Sequence, residues 1–354
     1  MENDLKKLFS ARKEKIIETL SEFLLREDVK AQLSLPWADD LPERLIAYTK
    51  GGKCLRGNLV LLGAEAAGAD IEGLYPAAAA IELFQSGILM HDDIIDGDEV
   101  RRGKPSAHCA FAKDLSQAGF PETKKLGESL ALCLGDIALM LTFALLMETK
   151  CAPHKKSEAA VYWGREFAKV GAAEMEDAYL SGAPIMPNEE RILDLYRGKT
   201  AGYTFIVPLI TGAMLCGASK ELLSALSNYA LNLGVLFQVK DDELGLFGSA
   251  EKLGKPVGSD IRENKKTIFT QKLFAAATEE EKKKLRSIFG SPDIGEAEVD
   301  YVRGLLEAKG IRREIALLAD SLAENAKSAL GAVEIKNGKI ILQALVELSL
   351  KRTA

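Results

Sequence analysis

The sequence predicts an all-α protein, and two observations lead to that fold class. Apolar residues recur at helical spacing along nearly the whole chain, among the helix-favouring residues Ala, Leu, Glu and Lys. No run of alternating β-branched residues, which is typical of a strand, interrupts them. The candidate helices span residues 5–33, 41–48, 52–67, 75–96, 124–147, 155–181, 189–216 and 220–246, with several amphipathic segments after residue 265.

Turn and cap residues support this division into helices. Thr278 followed by Glu281 is a capping-box pattern, and Pro153 and Pro187 lie where helices are expected to begin. The glycines and proline of residues 254–258 predict a loop. No linker composition divides the 354 residues, so we expect one domain over residues 1–354, with a motif-bearing core at 45–270 and C-terminal helices at 271–354.

Composition restricts the classes of function and location. The net charge of −6 comes from acidic and basic residues spread along the chain, so we expect no nucleic-acid partner. The five cysteines are odd in number and lack metal-type spacing, and the N-terminus lacks a signal-peptide pattern, so we expect a cytoplasmic protein. Residues 200–219 are uncharged, but they contain Pro208 and three glycines, so we expect a buried helix and no membrane span.

The first candidate site is an acid cluster at the end of an apolar helix. Asp92 and Asp96 are four residues apart and therefore lie on one helical face, where a cation would relieve their repulsion. Arg101 and Arg102 follow after a short loop and offer forked donors to phosphate oxygens. The pattern indicates a metal-bridged diphosphate, with a solvated helix end or a surface Arg–Asp network as the alternative.

A second acid cluster and a glycine pair repeat this chemistry elsewhere. Asp241 and Asp242 end another long helix, and lysines and a further acid follow them. Gly51 and Gly52 precede Lys53 and Arg56, which we expect on one face at the start of a helix that favours an anion. The spacing is not that of a Walker loop. Isolated basic residues are usually solvent-facing, but repeated acid-then-base clusters favour ligand binding.

These motifs together resemble a known family. They are Gly-Gly-Lys-x-x-Arg at 51–56, Asp-Asp-x-x-Asp at 92–96, Arg-Arg-Gly-x-Pro at 101–105, Lys-Thr at 199–200, Gln-x-x-Asp-Asp at 238–242 and Gly-Lys-Pro at 254–256. The set is similar to that of the trans-prenyl diphosphate synthases, which include the farnesyl and geranylgeranyl diphosphate synthases. The resemblance implies an isoprenoid-synthase-type helical bundle around a deep central pocket, with the two acid clusters facing each other across it, and a homodimer.

The resemblance also implies a role for each matching residue. The enzyme would be a prenyltransferase that condenses an allylic diphosphate with isopentenyl diphosphate, using about three Mg²⁺ ions per site. The metal ligands would be Asp92, Asp96 and Asp241, with Asp93, Asp242 and Asp260 in support. The allylic diphosphate would bind Arg101, Lys199, Lys255 and Lys265. Isopentenyl diphosphate would bind Lys53, Arg56, Gln85 and Arg102. Thr200, Gln238 and the Lys199 carbonyl would face the developing carbocation.

Two positions depart from the family pattern. Gly245 stands where many members have a third aspartate, which takes residue 245 out of the metal shell and leaves Asp260 as the helper. Glu174 precedes Asp177 where members often carry Gln-x-x-Asp. A glutamate cannot donate as a glutamine does, so its role is open between ligand binding and a packing or salt-bridge function.

Product length is predicted from the helix that enters the first acid cluster. Ile88, Gly87 and Phe84 lie four, five and eight residues before Asp92. Short-chain members of the family commonly carry a large aromatic at the fourth or fifth position, whereas Gly87 has no side chain. We therefore expect the pocket to continue towards Phe84 and the product to reach about twenty carbons or more. Products of about twenty to twenty-five carbons, geranylgeranyl or geranylfarnesyl diphosphate, are favoured over the shorter farnesyl stage. The alternative is that Gly87 lets a neighbouring helix pack closely.

Three other functions compete with the synthase. A terpene cyclase or head-to-head condensing enzyme of the same fold needs no isopentenyl diphosphate site, so Lys53, Arg56, Gln85 and Arg102 favour the synthase over it. A non-catalytic regulatory subunit would tend to lose an acid cluster, and both are present. A generic helical scaffold would not explain phosphate-binding residue types at separate points along the chain. The sequence leaves the preferred allylic primer open.

Overall fold

Helices make up most of the described chain. The computed structural model describes residues 2–248, 258–291 and 293–352. Within these residues the α-helices are α1 Glu2–Leu24, α2 Glu27–Leu33, α3 Leu41–Lys50, α4 Leu55–Ala66, α5 Tyr75–Ile95, α6 Ala107–Gln117, α7 Thr123–Met147, α8 Pro153–Gly182, α9 Glu189–Leu195, α10 Val207–Leu215, α11 Lys220–Phe247, α12 Ser259–Arg262, α13 Ile268–Ala276, α14 Glu279–Ile288, α15 Glu296–Ala308, α16 Ile311–Gly331 and α17 Lys339–Leu350. A 3₁₀ turn spans Glu72–Leu74, and a π-helix spans Tyr196–Ile206. The predicted all-α fold class is confirmed.

The chain divides into two compact units. Unit 1 comprises Met1–Ala160 and Pro208–Ala218, and unit 2 comprises Val161–Val207 and Ser219–Ala354. In unit 1, α5 packs most extensively on α7 and also contacts α1, α3, α4 and α6. In unit 2, α11 packs on the π-helix, α16 and α17. The single domain expected over residues 1–354 stays a prediction.

The acid motifs end the helices that are the most central in their units. The first half of α5 is small and apolar, with Ala77 to Ala80 fully buried, so neighbouring helices approach it closely. Pro76 stands in its first turn, where a proline is tolerated. The predicted capping box of Thr278 and Glu281 is confirmed at the start of α14, and Pro153 begins α8 as expected.

Three predicted helices differ in the structure. Residues 5–33 form two helices, because the backbone of Arg26 is extended and the acidic Glu27 and Asp28 begin a new first turn. The helix predicted from residue 52 begins only at Leu55, because Cys54 has a left-handed backbone with φ 50°. The segment 189–216 is helical throughout most of its length, but Tyr196–Ile206 is wound as a π-helix.

A short hairpin was not expected from the sequence. Strands β1 Val100–Arg101 and β2 Lys104–Pro105 pair antiparallel, and Arg102 and Gly103 form the two-residue turn. Both turn residues have positive φ, 55° and 73°, which matches the twist of a tight hairpin. The hairpin places Arg101 in a strand and Arg102 in the turn, so the two adjacent side chains have different partners.

Residues 200–219, which the sequence marks as a long uncharged segment, are mostly buried in the described structure, as expected. Two other helices, α7 and α11, are long and apolar enough to cross a membrane by length and composition alone. The core helix of a soluble protein meets the same criteria.

Candidate active site

The first acid cluster closes α5 in unit 1. Asp92 and Asp93 lie in the last turn, and the N–H of Asp96 donates to the carbonyl of Asp92 at 2.8 Å. Asp93 is fully buried, whereas Asp92 is half-buried and Asp96 is exposed. The helical spacing therefore turns Asp93 into the protein and leaves Asp92 and Asp96 towards solvent, as the sequence predicts for a metal-binding pair.

Arg101 is held by carboxylates along one edge of its guanidinium. Nε donates to Asp93 Oδ1 at 2.5 Å, and Nη2 pairs with Asp93, with Asp98 at 3.1 Å and with Asp92 at 3.7 Å. Burial opposes its charge, but Asp93 and Asp92 together with Tyr48 outweigh burial and raise the pKa of Arg101. Its Nη1 forms no hydrogen bond or ion pair with a residue of the described chain. The predicted contact with the allylic diphosphate would use this nitrogen.

Arg102 is not neutralised in this way. Its Nη1 donates to the carbonyl of Tyr48 at 3.3 Å, and no carboxylate of the described residues forms an ion pair with it. Burial lowers the pKa of Arg102, because the charges around it relieve the cost of desolvation only in part. A guanidinium in this state is suited to an anionic ligand.

The two glycines before Lys53 make room for Arg102. A Cβ on Gly52 would lie 3.0 Å from Arg102 Nη1 and 3.1 Å from Nη2. The expectation that Lys53 and Arg56 share a helical face is wrong: Lys53 precedes the helix, and the left-handed Cys54 separates it from Arg56 in the first turn of α4. Both residues belong to unit 1.

The buried face of α5 supplies two polar side chains, Gln85 and Glu82. Gln85 is 8% exposed, and its Oε1 has no hydrogen-bond partner in the described chain, so its amide retains capacity for a ligand or water. Glu82 accepts the N–H of Gly57 at 2.7 Å. Burial raises the pKa of Glu82, while Arg56 acts in the opposite direction. Sequence reasoning missed Glu82, although a lone acid in an apolar run is a usable signal.

In unit 2, the π-helix presents Lys199 to two acids of α8. Lys199 Nζ donates to Glu174 Oε1 at 3.0 Å and to Asp177 Oδ2 at 2.6 Å. Burial lowers the stability of the charged amine, but the two carboxylates prevail and raise the pKa of Lys199. The open question about Glu174 is answered for this state of the protein: it forms a salt bridge.

A chain of hydrogen bonds links the π-helix to the second acid cluster. Thr200 Oγ1 donates to Gln238 Oε1 at 2.6 Å, and Gln238 Nε2 donates to Asp242 Oδ1 at 2.8 Å. The hydroxyl of Tyr196 donates to Asp242 Oδ2 and accepts the N–H of Ile268 at 2.8 Å. Burial, with the charge of Asp260, raises the pKa of Asp242. Tyr196 was not predicted as a site residue, because a buried tyrosine is usually a core residue.

The other predicted site residues of unit 2 differ in their exposure and in their ion-pair partners. Asp241 is exposed and pairs with Arg352 at 2.9 Å. Asp260 lies beside Gly245, where an added Cβ would be 2.7 Å from Asp260 Oδ2. Lys265 pairs with Glu263 at 2.9 Å. Lys255 lies outside the described residues.

The carboxylates suit a Mg²⁺ ion that keeps water and substrate ligands better than an ion enclosed by protein ligands alone. Within the described part of the chain, no group of three or more His, Cys, Asp or Glu side chains is arranged to hold a metal ion. Asp92 and Asp96 are a pair, and Mg²⁺ typically takes one or two carboxylates and completes its shell with water and substrate phosphates. The donor sets in both units therefore suit an ion that arrives with a diphosphate.

The product-length residues need one correction. A Cβ on Gly87 would lie 2.8 Å from the carbonyl oxygen of Gly135 in α7 and 3.0 Å from Leu139 Cδ2. Gly87 therefore permits a close helix crossing, which is the packing alternative, and does not line open space. Phe84 is buried at 5% exposure and Ile88 is half-buried. Their effect on product length stays a prediction.

Comparison with known proteins agrees with these features. The sequence matches the family described as Polyprenyl synthetase over residues 40–306. It is 34% identical to a short chain isoprenyl diphosphate synthase of Methanocaldococcus jannaschii over 250 residues, 70% of each chain. It is 30% identical to a geranylgeranyl diphosphate synthase of Saccharolobus solfataricus over 312 residues, 86% of this chain and 88% of that one.

A solved structure is similar over almost the full length. The geranylgeranyl pyrophosphate synthase of Corynebacterium glutamicum, complexed with isoprenyl diphosphate and magnesium, superposes with a TM-score of 0.88 at 28% identity. The match covers 96% of this chain and 98% of the other. The two chains thus share one fold over almost their full lengths.

Proposed function

This chain belongs to the polyprenyl synthetase family and is a prenyltransferase, and from that premise we propose that it lengthens an allylic diphosphate with isopentenyl diphosphate. The observation that carries the proposal is Arg102, a guanidinium without a carboxylate partner in the described chain, in the same unit as Asp92 and Asp96. A cation and a metal-binding acid pair are what two diphosphate substrates require.

The residues of unit 1 serve substrate binding in this proposal. Lys53, Arg56, Gln85 and Arg102 bind isopentenyl diphosphate. The Gly52 backbone allows Arg102 to approach, and the open amide of Gln85 offers a further hydrogen bond. Arg101, oriented by Asp93, binds the allylic diphosphate through its remaining nitrogen. The geranylgeranyl and short-chain relatives support a product of about twenty carbons, geranylgeranyl diphosphate, over a longer one.

Metal binding is assigned to the carboxylates of the two acid clusters. Asp92 and Asp96, and Asp241 with Asp242 and Asp260 in support, would hold Mg²⁺, about three ions in all. When bound, Mg²⁺ neutralises charge on the diphosphate as it leaves the allylic carbon. The magnesium in the related C. glutamicum structure supports this assignment. Arg101, Lys199, Lys255 and Lys265 add positive charge for the same leaving group.

The π-helix of unit 2 is suited to a carbocation. Thr200, Gln238 and the Lys199 carbonyl present oxygen dipoles, and the hydrogen bonds through Asp242 and Tyr196 keep the Thr200 and Gln238 side chains in place. A buried and water-poor environment favours attack by the held double bond of isopentenyl diphosphate over attack by water. The proton released afterwards can pass to the departed diphosphate, so the reaction needs no side-chain base.

We also propose a cytoplasmic homodimer that uses the exposed face of α7. Leu132, Met140 and Met147 on this helix are 42%, 65% and 41% exposed, which is unusual for large apolar side chains on a strongly apolar helix. A second copy of the chain would cover them. Size-exclusion chromatography with light scattering should give twice the chain mass, and Met140→Lys should weaken the dimer.

The function is tested with purified protein, labelled isopentenyl diphosphate, Mg²⁺ and each allylic primer in turn, followed by sizing of the products. We expect labelled products longer than the primer from at least one allylic diphosphate, and no such products from the Asp92→Ala variant. A terpene cyclase would instead consume the allylic diphosphate without incorporating label. A regulatory subunit would show no turnover alone and would change the products of an added synthase.

A further inference from the structure

Tyr48 of α3 is linked to both adjacent arginines, to Arg101 through Asp93 and to Arg102 directly. Its hydroxyl donates to Asp93 Oδ2 at 2.8 Å, while the other carboxylate oxygen of Asp93 accepts Arg101 Nε at 2.5 Å. Its main-chain carbonyl accepts Arg102 Nη1 at 3.3 Å. Tyr48, Arg101 and Arg102 also line one cavity of about 210 Å³ in unit 1.

The hydroxyl completes the hydrogen bonding of a carboxylate that has no access to water. Asp93 is fully buried, so each oxygen must find a partner within the protein. Arg101 satisfies one oxygen and Tyr48 the other. Burial and the charge of Asp93 raise the pKa of Tyr48, which keeps the hydroxyl protonated and able to donate at neutral pH.

Removal of the hydroxyl would loosen the carboxylate that orients Arg101. Asp93 could then rotate to share both oxygens with the guanidinium, which would draw Arg101 along with it. Arg102 would be affected much less, because the atom of Tyr48 that it contacts belongs to the main chain. A substitution that removes only the Tyr48 hydroxyl should therefore affect Arg101 and leave Arg102 largely unchanged.

We propose that the Tyr48 hydroxyl is a positioning group for Arg101, acting through Asp93, and that it supports binding of the allylic diphosphate in preference to isopentenyl diphosphate. This inference rests on the proposed synthase function. Tyr48 touches neither substrate in this role; it determines the direction of the Arg101 nitrogen that does.

The test is Tyr48→Phe, which removes the hydroxyl and keeps the ring and the carbonyl. We expect KM for the allylic diphosphate to rise about tenfold, with KM for isopentenyl diphosphate within about twofold of the unchanged protein. Tyr179→Phe, at a tyrosine that is 65% exposed, is the matched control and should change neither constant. Equal increases in both constants, or no change in either, would overturn the proposal.

A double-mutant cycle checks the route through Arg101. Tyr48→Phe should add less than about twofold in an Arg101→Lys background, because the group that it positions is already altered. Multiplying effects would show that the hydroxyl acts elsewhere. If Tyr48→Phe does not fold, Asp93→Asn replaces it and should produce the same selective increase. Loss of synthase activity in the unchanged protein would instead refute the proposed function.

Discussion

The carboxylate of Asp260 lies against Gly245, with Oδ2 2.7 Å from the point that a Cβ on residue 245 would occupy. Many members of the family carry an aspartate at the position of Gly245. In this chain the space next to that position is taken by an acid from α12, a different helix. The second acid cluster, which lies in unit 2, is therefore completed by a residue that tertiary packing brings in.

We expect Gly245→Asp to impair the protein even though it restores a common family residue. The new side chain would displace Asp260 and add a like charge beside the buried Asp242. Turnover should fall about tenfold, and the free energy of unfolding should fall by about 1 to 3 kcal/mol in urea titrations. Gly171→Asp, on a helix with open space at that position, is the control. An equally active Gly245→Asp variant would contradict the packing argument.

Gly52→Ala should affect one substrate selectively. The added Cβ would lie within about 3 Å of the Arg102 guanidinium, which is the flexible end of a side chain, so Arg102 moves and the backbone does not. We expect KM for isopentenyl diphosphate to rise about threefold to tenfold with little change for the allylic diphosphate. Lys53→Ala should show the same selectivity. Gly164→Ala, where nothing lies within 4 Å, should leave both constants unchanged.

Tyr196→Phe should destabilise unit 2. The tyrosine hydroxyl donates to Asp242 Oδ2 and accepts the N–H of Ile268, and the substitution removes the hydroxyl from both buried groups. We expect the free energy of unfolding to fall by about 2 to 4 kcal/mol. Thermal and urea unfolding measure this, with the exposed Tyr179→Phe as the reference. A change of less than about 0.5 kcal/mol would mean that water replaces the hydroxyl.

Product length should respond to Phe84 and not to an open space at Gly87. Phe84→Leu shortens the buried side chain, and we expect longer products by chromatographic sizing. Gly87→Ala would press a Cβ on the Gly135 carbonyl of α7, so we expect a loss of about 1 to 3 kcal/mol in stability with the product length unchanged. Shorter products from a stable Gly87→Ala variant would restore Gly87 as part of the pocket wall.

Chelation of Mg²⁺ should abolish turnover and preserve the fold. The described carboxylates form no closed metal cage, so the ion is expected to bind with substrate and to contribute little to folding. Activity with EDTA should be absent, and the far-ultraviolet circular dichroism should remain helical. Restoration by excess Mg²⁺ is the control. A cooperative loss of helix in the chelator would instead indicate a structural metal.

Local patterns predicted the parts of the site that depend on spacing. Asp92 and Asp96 lie together because helical period places residues four apart on one face, and the Thr278 capping box formed because its partners are three residues apart. The shared face of Lys53 and Arg56 failed, because a single left-handed residue, Cys54, breaks the helix between them. Helical periodicity does not reveal a left-handed residue, and Cys54 is not a glycine, the residue type that usually marks such a position.

The sequence by itself determined the helical fold class, the order of the motifs and the kinds of chemistry that they carry, because these follow from period and side-chain type. Tertiary structure alone decided the partners: Tyr48 with Asp93, Glu174 with Lys199, and Asp260 beside Gly245. Each pair joins residues that are far apart in the chain or on different helices. Which buried group satisfies which charge depends on helix packing, and local spacing carries no information about it.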